Sequence, residues 1–167
     1  MSAMRIGVTL ALLGLFAAPA SAQTSDVCLR RSATIVGTQQ NDLRFGTSGV
    51  DIAVGLKGDD LIFGWPQHER FPDSGDFICG GRGDDTLRPG YGEDAVRGNA
   101  GEDDLYGKNG ADRLRGGSGA DRLFGGRGHD RLRGGSGVDR IDGGPGFDTC
   151  FVDPSDIVLR CEHVIGG

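Results

Sequence analysis

The chain has 167 residues, and 32 of them, about a fifth, are glycine, against a usual share of roughly 7%. Aromatic residues make up 7% and hydrophobic residues 37%, too little for a conventional core of this length, and no Gly-X-Y period supports a collagen helix. Asp and Glu outnumber Lys and Arg by 24 to 18, which disfavours a nucleic-acid binder, since that class leans basic.

In chain order, the first element is an export signal. Arg5 supplies the positive start, residues 6–16 are mostly apolar but too short to span a bilayer, and Ala20-Ser21-Ala22 is a small-residue cleavage site. Residues 1–22 are therefore expected to be cleaved, leaving 145 residues, one domain by length and without a membrane span. A retained anchor is the alternative, which the short apolar run disfavours. Residues 23–36 are read as an N-terminal cap. The mature chain keeps four cysteines, Cys28, Cys79, Cys150 and Cys161. An even number in an exported chain suggests two disulfides. Four cysteines allow three connectivities. The closeness of Cys150 and Cys161 favours that pair, which leaves Cys28 with Cys79. Metal-binding thiols are the other possibility, but no CxxC occurs.

From residue 37 to 151 the chain is periodic, the signature of a solenoid. Asp recurs every nine residues at Asp42, Asp51 and Asp60. After seven inserted residues the phase resumes at Asp76, Asp85, Asp94, Asp103, Asp112, Asp121, Asp130, Asp139 and Asp148. Gly stands two positions before each Asp, except at Gln40 and Ser74. An apolar residue stands two positions after, from Ile62 to Ile141, with Ala53 and Cys150 as smaller versions and Arg44 as a failure. The best units read GGRGDDTLR (80–88), GGSGADRLF (116–124), GGRGHDRLR (125–133) and GGSGVDRID (134–142).

These units resemble the RTX, or haemolysin-type, calcium-binding nonapeptide G-G-x-G-x-D-x-U-x. The resemblance implies a six-residue turn and a three-residue strand per unit, two units per coil of a parallel β-roll, and calcium between turns of successive coils. The repeat Asp and main-chain carbonyls would hold the ions. Residues 33–38 and the closing Cys150 to Glu162 also look like small exported members.

The chemistry points the same way. Coils of a parallel roll stack about 4.8 Å apart. Two ionised Asp at that distance repel by about 3 kcal/mol at an effective dielectric near 20. A ladder of them calls for a cation between the rungs. Oxygen ligands are hard and favour Ca²⁺ or Mg²⁺ over Zn²⁺, and irregular Gly turns suit the 6–8 ligands of Ca²⁺ better than the strict octahedron of Mg²⁺. Asp also favours turns for its own sake, but that does not impose a nine-residue phase. All twelve Asp are metal candidates. Asp42 is the weakest, because its unit lacks the Gly and carries Arg44, and Asp148 is next, because the repeat ends there.

Arg113, Arg122, Arg131 and Arg140 follow a repeat Asp directly, while Arg88, Arg97, Arg115 and Arg133 lie three residues after one. They are expected to point outward, either on a charge-balanced solvated face or as a basic stripe for an anionic glycan or membrane. The balanced face is the simpler expectation. The insertion near 64–74 holds the only Trp, Trp65, with His68, Glu69, Arg70 and Phe71, and serves either as a partner-binding loop or as a loop packed on the roll. Residues 152–167 form a C-terminal cap, with residues 157–159 buried across the last coil. His68, His129 and His163 are scattered, and no HExxH, nucleophile elbow or Walker loop occurs.

The sequence thus predicts an all-β parallel roll of about twelve half-coils between disulfide-tied caps. It predicts a non-enzymatic, secreted or envelope protein that binds several Ca²⁺ ions. A calcium-dependent adhesion or surface-interaction protein is the alternative, with a cell-surface or extracellular partner. An RTX-tailed hydrolase is a third possibility, but only about 14 residues, 23–36, separate signal from repeats.

Overall fold

The computed structural model describes residues 27–28, 31–65 and 74–167. The expected signal segment and residues 66–73 of the insertion lie outside the described residues.

Strands are numbered in chain order. A short antiparallel pair, β1 (Val27–Cys28) and β2 (Arg31–Ser32), comes first. The remaining strands alternate between two parallel sheets. The first contains β3 (Ile35–Val36), β5 (Ile52–Lys57), β7 (Phe77–Arg82), β10 (Ala95–Ala100), β12 (Arg113–Ser118), β14 (Arg131–Ser136), β16 (Thr149–Val152) and β18 (His163–Gly166). The second contains β4 (Leu43–Phe45), β6 (Leu61–Phe63), β8 (Thr86–Arg88), β11 (Asp104–Asn109), β13 (Arg122–Arg127), β15 (Arg140–Asp142) and β17 (Ile157–Leu159), with β9 (Gly90–Tyr91) beside β11. This is a parallel β-roll of about seven turns, without helix among the described residues.

The nine-residue phase explains the register. Two units make one coil, so residues 18 apart face each other: Val96 pairs with Leu114, and Leu114 with Leu132. Across the insertion the pairing skips 25 residues, as in Ala53 with Ile78 and Ile62 with Leu87. The seven extra residues fall between β6 and β7 in the sequence, and the phase survives. Alternation along each strand turns the apolar repeat position inward. Ala53, Ile78, Val96, Leu114, Leu132 and Cys150 from one sheet meet Ile62, Leu87, Leu105, Leu123 and Ile141 from the other in one buried column. Each fully buried Leu or Ile contributes about 2 kcal/mol.

Pairing continues beyond the three expected strand residues. After a gap at the first Gly of the turn, a second short ladder joins Asn99 to Gly117 and Ala100 to Ser118. The turn Gly residues are needed for contact as well as conformation. Gly128 has φ +143°, and a Cβ there would lie 1.7 Å from the Gly110 carbonyl oxygen of the preceding coil. Gln40 escapes this rule because it belongs to the opening coil.

Both disulfides form, Cys28–Cys79 and Cys150–Cys161. Cys28 and Cys79 pack with Val54 in a small second cluster. Val54 and Cys79 each follow an inward-facing residue, so this bond clamps the leading segment to the flank of β5 and β7. The C-terminal segment differs from the expected cover. It adds β17 to one sheet and β18 to the other, in parallel register. Val158 packs against the core, but Ile157 and Leu159 are exposed. A strand in register turns only alternate residues inward, so three consecutive apolar residues cannot all be buried.

Candidate metal ladder

Every repeat Asp immediately precedes a strand, and the coil spacing stacks these residues into two columns. One runs Asp51, Asp76, Asp94, Asp112, Asp130, Asp148 and the other Asp42, Asp60, Asp85, Asp103, Asp121, Asp139. All but Asp42 are buried. Within a column the contact repeats. The Asp103 N–H donates to Asp121 Oδ1 at 2.9 Å, and the Arg122 N–H donates to the Asp103 carbonyl at 2.8 Å. The same bond from Asp N–H to the next Oδ1 spans the insertion, from Asp51 to Asp76 and from Asp60 to Asp85.

The ladders run one rung further than the nine-residue phase. The Asp139 N–H donates to Asp156 Oδ1, and the Asp148 N–H donates to Glu162 Oε2. Sequence reasoning missed both residues because the phase breaks after Asp148. A signal was present, since Asp156 and Glu162 each have a Val two positions later, Val158 and Val164, as in the repeat. Asp148, expected to be marginal, lies inside its column between Asp130 and Glu162.

The second carboxylate oxygen is the informative one. In Asp60, Asp85, Asp103, Asp112, Asp121, Asp130, Asp139 and Asp148, Oδ2 is buried without a hydrogen-bond donor. Such an oxygen carries an uncompensated desolvation penalty. Each faces the Gly five residues earlier. A Cβ on Gly116 would lie 2.2 Å from Asp121 Oδ2 and 2.7 Å from the Gly134 carbonyl oxygen. At Gly55 the corresponding oxygens are Asp60 Oδ2 at 2.1 Å and Gly80 O at 2.5 Å. At Gly125 they are Asp130 Oδ2 and Gly143 O, both at 2.5 Å. At these three the missing side chain leaves a small space on which a carboxylate and a carbonyl oxygen converge, and the carboxylate oxygen has no donor among the described residues. This donor set fits a hard cation. No three His, Cys, Asp or Glu side chains cluster as a metal site among the described residues, so main-chain carbonyls would have to complete any coordination.

Burial dominates the electrostatics. Desolvation, with lesser repulsion from neighbouring carboxylates, pushes Asp85 up to about 8 and Asp103 and Asp112 to about 7, against the backbone hydrogen bonds that pull down. Asp121 and Asp130 rise to about 6 for the same first reason. Burial also raises Asp60, Asp139 and Asp148.

The opening coil differs. Thr38 and Thr47 stand where later units have the second Gly. The Thr38 N–H and hydroxyl donate to Asp42 Oδ2, and Arg44 reaches Asp42 Oδ1 at 2.8 Å. The Thr38 N–H is the chief reason that Asp42 is held below the usual carboxylate range. Thr47 satisfies Asp51 Oδ2 in the same way, at 2.6 and 3.1 Å. Arg44, the misfit at an inward position, is thereby an ion-pair partner at the open end of the roll.

Most of the arginines point outward as expected, Arg97, Arg113, Arg115, Arg122, Arg131, Arg133 and Arg140 all being exposed. Arg88 is the exception. It is half-buried between Phe63 and Tyr106, 5.9 and 4.8 Å from their ring centres, within a stripe that also stacks Phe45 on Phe63 and Tyr106 on Phe124. Exposed His129 accepts a hydrogen bond from the Phe147 N–H at Nδ1.

A family model for the RTX calcium-binding nonapeptide repeat, in 4 copies, matches residues 45–68, 73–87, 80–114, 88–123 and 115–150. No curated protein matches the chain.

Proposed function

The chain belongs to the RTX calcium-binding nonapeptide repeat family, and from that premise we propose that it is a non-enzymatic exported protein whose roll folds around several calcium ions. The observation that carries this reading is the series of buried, donor-less Oδ2 atoms facing a Gly five residues earlier, where those of Asp60, Asp112, Asp121, Asp130 and Asp148 converge with a main-chain carbonyl.

The ligand set we assign is Asp60, Asp76, Asp85, Asp94, Asp103, Asp112, Asp121, Asp130, Asp139 and Asp148, completed by carbonyls of the Gly-rich turns. Calcium supplies positive charge between the rungs and removes the desolvation penalty of the carboxylates. Asp42 and Asp51 play a different part, closing the first coil through Thr38, Thr47 and Arg44. Asp156 and Glu162 close the far end by accepting the last free N–H groups of the two columns.

Export is supported by the Arg5 to Ala22 signal pattern and by two disulfides, which persist in oxidising compartments. The test is calorimetric titration of metal-free protein with Ca²⁺ and with Mg²⁺, followed by circular dichroism. Saturable uptake of several Ca²⁺ per chain with a gain of β signal is expected, and much weaker uptake of Mg²⁺. No heat with Ca²⁺, or equal affinity for both ions, would overturn the assignment.

A further inference from the structure

The repeat gives every strand two outward positions, one and three residues after each ladder Asp. On the second sheet Arg122 stands opposite Arg140, but carboxylates share these outward positions. Arg122 lies 3.5 Å from Asp104, and Arg160 pairs with Asp142. The first sheet is different. Arg113 and Arg115 on β12 stand directly opposite Arg131 and Arg133 on β14. All four are exposed, and none pairs with a carboxylate among the described residues. The flanking outward positions hold Ala95 and Arg97 on one side and Thr149 and Phe151 on the other, none of them acidic. The charge-balanced face expected from sequence is thus not found across β12 and β14.

Like charges directly opposite across a sheet oppose its formation. Two such pairs persist side by side here with no carboxylate among the described residues to offset them, on a protein whose net charge is −6, so folding alone does not account for them. A shallow groove beside them is lined by Arg115, Arg133, Ser136, Phe151, Asp153 and Ile165, and Phe151 and Ile165 are 36% and 39% exposed.

We propose that this face docks a linear acidic polysaccharide, with carboxylate or sulfate groups recurring along an extended chain. The guanidinium fork pairs bidentately with such planar or tetrahedral oxyanions. The arginine rows repeat at the coil spacing of about 4.8 Å, close to the length of one sugar unit, so successive rows meet successive sugars. Phe151 extends the arginine column and offers an apolar surface to a pyranose ring. Two half-exposed apolar side chains are too few to anchor the face in a bilayer. The inference rests on the calcium reading only insofar as the grid exists once the sheet is assembled.

The test titrates calcium-loaded protein with dextran sulfate, neutral dextran and phosphatidylglycerol vesicles, checking each variant for β signal. Dextran sulfate is expected to bind, more weakly as salt rises, and neutral dextran is not. Arg115→Ser with Arg133→Ser should lower the affinity by about fivefold or more, and Arg122→Ser with Arg160→Ser, both held by carboxylates on the second sheet, by less than about twofold. Equal losses from the two pairs would reduce the effect to diffuse charge and overturn the proposal. Binding to vesicles but not to dextran sulfate would overturn it in favour of a membrane surface. A chain that gains no β signal with calcium counts against the calcium reading. A folded chain that ignores dextran sulfate counts against the docking face.

Discussion

Acidification should fold the metal-free roll, and mild alkali should unfold it. Burial holds Asp85 at about 8 and Asp103 and Asp112 at about 7 in the folded chain, while an unfolded Asp titrates near 4. At pH 7 the metal-free fold therefore keeps Asp85 largely protonated and Asp103 and Asp112 about half so, and folding takes up about two protons. Each proton is worth about 1.4 kcal/mol per pH unit. Two give about 3 kcal/mol per unit, and halving for solvent screening leaves about 1.5. A folded pKa above the unfolded one means that stability is fully present below about pH 4 and is lost as pH rises through 6 to 8. Calcium takes the place of these protons, so its affinity should rise over the same interval. Circular dichroism of chelator-stripped protein from pH 5 to 8.5, with and without Ca²⁺, checks this. The metal-free β signal should be strong at pH 5 and lost by pH 8, and Ca²⁺ should restore it at pH 8. A metal-free signal that stays flat, or falls towards acid, would refute the role assigned to the buried carboxylates.

Asp121→Ala should remove one ligand and the acceptor for the Asp103 N–H, weakening calcium uptake at neighbouring sites, whereas Asp104→Ala, on the outer face, should leave the titration nearly unchanged. Gly128→Ala forces a Cβ against the Gly110 carbonyl oxygen and should destabilise the calcium form by about 3 kcal/mol in urea unfolding. Lys108→Gly should do the reverse, gaining about 1 kcal/mol by relieving a positive φ of 83°. Cys150→Ala with Cys161→Ala opens a short loop, with a sequence separation of 11, and should lower stability by about 3 kcal/mol, seen as an earlier thermal transition. Unchanged melting would show that β17 and β18 hold without the bond.

The roll was legible in the sequence because its interactions are periodic. A nine-residue phase with an apolar residue two positions after each Asp dictates which side chains turn inward, and two units per coil then dictate that residues 18 apart meet. The insertion was legible too, since the phase resumes beyond it at Asp76. Tertiary structure decided what depends on neighbouring coils. Only stacking shows that one oxygen of a ladder Asp such as Asp121 is spent on the N–H of the preceding rung while the other is stranded beside a carbonyl. Only stacking shows that Thr38, Thr47 and Arg44 satisfy the first rungs locally. Asp156 and Glu162 escaped the periodic reading because the end coils are bounded by backbone pairing and a disulfide rather than by repeat length. Which arginines meet a carboxylate was equally invisible along the chain. Arg115 and Arg133 differ from Arg122 and Arg140 in no local motif, and both pairs stand opposite like charge; only the alternation of strands between two sheets brings Asp104 to Arg122 and, among the described residues, no carboxylate to Arg115 or Arg133.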